Sequence, residues 1–101
     1  MYSYIKGIVT MIFKDHIVLE NQGIGYMIYV PNPYSFKTNS DMTVYIYQQV
    51  KEDGHLLFGF KSLEEKELFL KLISVKGIGP KTAVGALATL EVERIVGAIE
   101  S

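Results

Sequence analysis

Leu72-Ile73-Ser74-Val75-Lys76-Gly77-Ile78-Gly79-Pro80-Lys81-Thr82-Ala83 contains a helix end, a Gly-Ile-Gly bend and a new helix start. Before the bend, Leu68, Phe69, Leu72, Ile73 and Val75 recur at helical spacing, and Gly77 and Gly79 end that regularity. Pro80 then falls in the first turn of the next helix, where a missing N–H costs nothing. This is a helix-hairpin-helix pattern. Its glycines permit backbone shapes other residues resist and let the chain approach a bound group closely. Ile78 can plug between the two helices, and Ala83 suits their close packing. The first N–H groups of the second helix have no helical partner and lie at the positive end of its dipole, which suits an anion such as a phosphate. Lys76 and Lys81 flank that position. The competing reading is a glycine C-cap followed by an ordinary helix start, and the combination of central Ile, Pro-Lys and Ala favours the anion site. A nucleotide loop does not fit, because it needs a preceding strand and a longer spacing to its Lys.

Working outward, Ser62-Leu63-Glu64-Glu65 has the form of a capping box and starts the first helix. Beyond the bend, the pattern predicts a second helix through Thr82 to Leu90 and a third over Glu91 to Glu100, with Val92, Ile95, Val96 and Ile99 facing inward. Upstream of Lys61 the composition changes to β-branched and aromatic residues. Tyr4 to Phe13, His16 to Glu20, Tyr26 to Val30, Met42 to Val50 and Leu56 to Phe60 read as five short strands. Lys14-Asp15 and Gly23-Ile24-Gly25 are the expected tight connections, and Pro31-Asn32-Pro33 opens a longer polar excursion through Asn39-Ser40-Asp41. Five strands in so short a span suggest a small barrel of the OB type. The expected organisation is α+β, with a five-stranded barrel over residues 1–61 and a helix-hairpin-helix module over 62–101.

Composition narrows the function. The chain has 101 residues, 49% hydrophobic and 21% charged, with a net charge of -1. That suits a folded core and argues against a disordered tail or a uniformly basic coat for nucleic acid. With no Cys, disulfides, thiolate metal sites and cysteine nucleophiles are excluded together. The first residues lack the pattern of a secretory signal and no apolar run approaches membrane-spanning length, so the expectation is a cytoplasmic protein without membrane association.

Val50-Lys51-Glu52-Asp53-Gly54-His55 joins the last two expected strands, with Asp53-Gly54 as a hairpin signal and Glu52 and Asp53 at an exposed tip. Such a tip is ordinarily a solvated turn. Beside DNA it would repel phosphates, holding duplex arms apart at a crossover or selecting against unbranched DNA. Tyr26, Tyr29, Tyr45, Tyr47, Phe58 and Phe60 could stack bases, yet strand alternation separates Tyr45 and Tyr47 from Val44 and Ile46, and barrel core or subunit contact is the favoured reading. His16 and His55 have no nucleophile or ligand set beside them. Glu64, Glu65 and Glu67 more simply favour the helix dipole than a metal. No catalytic residue, cofactor site or metal site is expected.

From end to end the sequence resembles the RuvA family, on Ile5-Lys6-Gly7, Gly23-Ile24-Gly25-Tyr26, Lys51-Glu52-Asp53-Gly54-His55-Leu56-Leu57-Phe58-Gly59-Phe60 and Val75-Lys76-Gly77-Ile78-Gly79-Pro80-Lys81. The acidic turn running into Leu-Leu-Phe-Gly-Phe is the most specific of these segments, while Tyr2-Ser3 stands where an Ile-Gly-like start is more usual. The resemblance implies an OB-fold followed by helix-hairpin-helix modules, in a homotetramer, or an octamer on DNA, that holds a four-way (Holliday) junction open. It further implies a role in recombination, repair of DNA damage and the SOS response, with ATP-driven branch migration supplied by a RuvB motor. On that basis Lys76, Gly77, Ile78, Gly79, Lys81 and Thr82 form the hairpin contacting arm phosphates, and Glu52 and Asp53 form the acidic pin. Ser101 falls where the family continues into a second hairpin, a linker and a motor-binding domain, so RuvB binding is expected of the longer protein.

The sequence therefore favours a non-enzymatic junction-binding module. The alternatives are an oligomerising interaction scaffold, a DNA-binding module indifferent to branching, and a fragment of a nuclease, glycosylase or ligase carrying the same hairpin. A net charge of -1 does not by itself attract DNA from a distance, a difficulty that oligomerisation would resolve by segregating a basic face from an acidic one.

Overall fold

Alternation along the strands sets which side chains enter the barrel. A computed structural model describes the backbone of residues 2–100 and side chains through residue 90. Five strands, β1 (Tyr4–Ile12), β2 (His16–Asn21), β3 (Ile24–Tyr29), β4 (Asp41–Lys51) and β5 (Gly54–Phe60), close into a barrel in the order β1-β2-β3-β5-β4. All neighbours are antiparallel except β3 and β5. This is the five-stranded OB architecture expected from the sequence. Strand β1 serves two neighbours, pairing through Tyr4–Ile8 with β4 and through Ile8–Ile12 with β2. A register shift between Val9 and Met11 bends it from one to the other.

Inside the barrel lie Ile5, Val9, Ile17, Leu19, Ile28, Val30, Val44 and Ile46, all buried. Phe36 joins them from the excursion between β3 and β4, which contains a single 3-10 turn, Pro33–Ser35. The excursion is tied to β1 by Val9 N–H donating to the Ser40 carbonyl (3.0 Å) and Asn39 N–H to the Val9 carbonyl (2.7 Å). Lys61 folds back over the Phe36 ring at 4.6 Å and donates to the Ser35 carbonyl at 3.1 Å.

Two helices follow, α1 (Leu63–Ile73) and α2 (Pro80–Glu100). The Ser62 hydroxyl accepts from Glu65 N–H at 3.1 Å, so the expected N-cap is formed. Phe58, Phe60, Phe69, Ala83 and Leu87 form a second buried cluster, against which Tyr29, Tyr47, Leu68, Leu72, Ile73 and Ile78 pack. This cluster lies between the outer face of the barrel and the helices. Gly59 faces the other way, where a Cβ would sit 2.5 Å from methyl groups of both Ile28 and Val44.

Two expectations are corrected. The β2–β3 connection is the two-residue turn Gln22-Gly23, with φ of 51° and 81°, and Ile24 and Gly25 belong to β3. A primed turn matches the strands' own twist, so it displaces the Gly-Ile-Gly reading. Downstream, the expected second and third helices are one continuous helix, α2. No Gly or Pro interrupts Thr89-Leu90-Glu91-Val92, so nothing stops the helix there. The inward facing expected of Val92, Ile95, Val96 and Ile99 lies outside the described side chains.

Candidate nucleic-acid interface

Helix α1 ends at Ile73, with Ser74 as C-cap donating its hydroxyl to the Lys71 carbonyl at 2.6 Å. The chain then turns through Val75 to Gly79, closed by Ile78 N–H donating to the Val75 carbonyl at 3.1 Å. Gly77 has a φ of +90°, a left-handed conformation that strains any residue with a Cβ. Gly79 has a different role. Its φ is ordinary and a Cβ there would meet nothing within 4 Å, so the fold itself does not demand glycine. What glycine preserves at this position is open space beside an exposed backbone.

That space adjoins donors. Ala83 N–H closes the first turn of α2 on the Gly79 carbonyl at 3.0 Å, whereas the N–H groups of Gly79, Lys81 and Thr82 have no acceptor among the described residues. All three residues are exposed. Orphan donors at a helix start, with the dipole behind them, form an anion cradle. Lys76 and Lys81 flank it in sequence and are exposed, and Ile78, expected between the two helices, is half-buried against the aromatic cluster that helices and barrel share. The packing of Ile78 anchors the bend, leaving its polar backbone outside.

Lys81 does not hang free. Its ammonium lies over the Tyr29 ring, 5.2 Å from the centroid. Both residues line a groove of about 260 Å³ between the barrel and α2, together with Lys14, Asp15, Phe58 and Gly85. Asp15 accepts from His16 Nδ1 at 2.6 Å, and this hydrogen bond is the main reason its carboxyl titrates below the usual aspartate range, with the charge of Lys81 adding a little. Nothing in the sequence pattern assigns Tyr29, Lys14 and Asp15 to this site. Alternation could have turned Tyr29 outward, but nothing in the pattern said which helix start would meet it.

Glu52 and Asp53 are elsewhere, in the two-residue turn between β4 and β5, where Lys51 pairs with Gly54. Both are fully outside, and neither makes a hydrogen bond or ion pair among the described residues. Gln48 and His55 are bonded side chain to side chain at 2.7 Å across the same hairpin, below its tip. The acidic turn and the glycine hairpin are therefore separate elements, one carried by the barrel and one by the helices. Of the aromatic side chains, Tyr29, Tyr47, Phe58 and Phe60 face the helices, and Phe58 and Phe60 are fully buried there. They pack between the barrel and the helices and not in the barrel core. No cluster of three or more metal-ligating side chains occurs among the described residues, and no described helix is long and apolar enough to cross a membrane.

A family model described as the RuvA N terminal domain matches residues 1–59. Proteins named Holliday junction branch migration complex subunit RuvA from Streptococcus agalactiae serotype V, Streptococcus uberis and Streptococcus pyogenes serotype M18 are each 52% identical over 103 residues. These matches take in 100% of this chain and 52–53% of the relatives, so the chain spans about half their length. A family model covering more than half of the chain, and that identity along all of it, make this chain a member of the RuvA family.

Proposed function

We propose that this chain binds four-way junction DNA through the sugar-phosphate backbone, as a non-enzymatic part of a branch-migration assembly. The observation that carries the reading is the set of unpartnered, exposed N–H groups at Gly79, Lys81 and Thr82 beside the open space kept by Gly79. Lys76, Gly77, Ile78, Gly79, Lys81 and Thr82 constitute the phosphate-binding hairpin, which positions DNA without reading its bases. Glu52 and Asp53 on their projecting turn constitute the acidic pin, whose charge keeps duplex arms away from the crossover. Residues 1–61 carry the pin and 62–101 the hairpin, as two modules with separate tasks. The names of the relatives, subunits of a Holliday junction branch migration complex, support the junction substrate and the branch-migration setting; a cytoplasmic role in recombination and repair is part of the same proposal.

Four-fold assembly fits the shape of the substrate and reconciles DNA binding with a net charge of -1, by gathering four hairpins on one face. Exposed apolar side chains support subunit contact: Met11, Val18 and Met27 are direct cross-strand neighbours on the outside of the barrel, with Met11 and Met27 half-exposed. A RuvB-type motor would be engaged by regions that the longer relatives possess.

The test is a binding titration of labelled four-way junction against linear duplex, repeated at several salt concentrations. Gly79→Ala combined with Lys81→Ala should weaken binding to both DNAs by at least about tenfold and flatten the salt dependence by roughly one phosphate contact. Glu52→Gln with Asp53→Asn should leave duplex binding equal or tighter and reduce the preference for the junction. Unchanged affinity and salt slope in the first variant would remove the hairpin from the interface. An unchanged junction preference in the second would remove the pin. Sedimentation with and without junction separates this reading from a scaffold that assembles indifferently to DNA.

A further inference from the structure

Lys81 is a long side chain on an exposed helix start, and such a side chain loses substantial rotamer freedom when it is fixed on a phosphate. Here part of that ordering is done before DNA arrives. The Tyr29 ring carries the ammonium 5.2 Å from its centroid, on the barrel side of the groove. A ring face attracts the cation without occupying its N–H donors with an oxygen, so the outward donors stay available.

The ring is itself held. Tyr29 packs on Phe58 with centroids 5.6 Å apart, and His16 meets it edge-on at 5.9 Å. His16 is stacked in turn on Phe13 at 4.5 Å. Asp15, the acidic side chain lining the groove, is bonded at 2.6 Å to His16 and forms no ion pair with Lys81. A carboxylate that could capture the lysine is thus engaged elsewhere, although the Lys81 charge still reaches it and helps lower its pKa.

We infer that Tyr29 is a positioning residue for DNA binding: the barrel reaches across to the hairpin and presents the Lys81 ammonium, preorganised and without an ion pair among the described residues, to the phosphate at the start of α2. This rests on the phosphate-binding reading of the hairpin and adds to it a dependence on the barrel face. It assigns to β3 a part in gripping DNA that its sequence does not announce.

The experiment is a double-mutant cycle read as junction affinity at fixed salt, with thermal melting of every variant. Tyr29→Leu should bind about two- to fivefold more weakly, the range expected for an exposed cation–π contact. The same substitution in a Lys81→Ala background should have no further effect. Tyr29→Phe, which keeps the ring face and loses only the hydroxyl, should bind like the unmodified chain. The inference is overturned if Tyr29→Leu is silent, if it weakens binding equally without Lys81, or if Tyr29→Phe loses as much as Tyr29→Leu. The two readings fail differently. Loss on Lys81→Ala with a silent Tyr29→Leu leaves the hairpin reading standing and sinks only the positioning role. A silent Lys81→Ala also sinks only the positioning role, and it takes an unchanged Gly79→Ala with Lys81→Ala to sink both.

Discussion

Inside the barrel the buried side chains are Ile, Val and Leu from the strands and from Val30 just past β3, joined by Phe36 of the β3–β4 excursion. Outside it, Phe58, Phe60 and Phe69 meet Ala83 and Leu87, edged by Tyr29 and Tyr47. The two clusters are back to back on the same strands. In β5 Gly59 points in, and Phe58 and Phe60 point out. The fully buried members of the inner cluster all come from residues up to Ile46, with the half-buried Leu57 of β5 packed against them, so the barrel closes on itself. The outer one takes one wall from the barrel and the other from the helices. The hairpin that presents the orphan N–H groups is therefore held in place by a cluster the helices do not own. A boundary near Lys61 separates two stretches of sequence but cuts through a packing unit.

The largest expected effect follows from cutting there. A peptide of residues 62–101 lacks Phe58 and Phe60 and leaves the Phe69 side of α1 uncovered, and short helices without tertiary cover are marginal in water. It should show weak helicity and no cooperative melt by far-UV circular dichroism, whereas residues 1–61 should retain a cooperatively melting β spectrum. A cooperative transition in the 62–101 peptide would mean that the helices form their own core and that the outer cluster is a mere contact.

Second in size is Phe69→Ala. Phe69 is fully buried and touches the rings of Tyr47, Phe58 and Phe60, with centroids 5.2, 6.0 and 4.7 Å away. Removing it should destabilise the chain by about 3–5 kcal/mol. If the barrel is self-sufficient, helical signal should be lost in denaturant before β signal. Coincident loss would show the two clusters to be one cooperative core.

Much of this was legible in the residues. The left-handed bend at Gly77, the cap at Ser62 and the alternation of Val44 and Ile46 with Tyr45 and Tyr47 each have a local cause, and local causes can be read from sequence. The helix itself stops earlier than the glycines suggest, at Ile73, which leaves Val75 outside it and exposed. The acidic tip was equally plain, although the two turn residues are Glu52-Asp53, one position earlier than the Asp-Gly signal suggested. The use of the aromatics was not plain. Period-two alternation says that Phe58 and Phe60 share a face, but which face is buried depends on where α1 returns, and that is a tertiary fact. For the same reason Tyr29, more than fifty residues before Lys81, could not be paired with it in advance.

A smaller effect separates the clusters from the inside. Gly59→Ala places a methyl group 2.5 Å from methyls of Ile28 and Val44, so these β-branched side chains must shift to accept it. Overpacking of this kind costs about 1–3 kcal/mol. The strain falls on the inner cluster, so the β and helical signals should shift together in a denaturant melt, in contrast to Phe69→Ala. A shift confined to the helical signal would show that the barrel wall yields and passes the strain outward.

The smallest effect lies at the rim of the seam, where Asp15 meets His16 at 2.6 Å with its side chain 67% exposed. Its pKa is lowered in the folded chain, chiefly by that hydrogen bond, so its charged form is favoured by folding. A lowered carboxylate stabilises at pH values above its unfolded pKa, and the contribution is lost as pH falls through the usual aspartate range toward the folded value. Asp15→Asn keeps an oxygen to accept from His16 and removes the charge. At neutral pH it should cost no more than a few tenths of a kcal/mol, roughly, because solvent screens so exposed a pair. The gap between the two proteins should close as pH drops below the usual aspartate range, measured as the difference in denaturant midpoint. A gap that persists at low pH would assign the effect to side-chain packing at the β1–β2 turn, and the rim would then belong to the outer cluster after all.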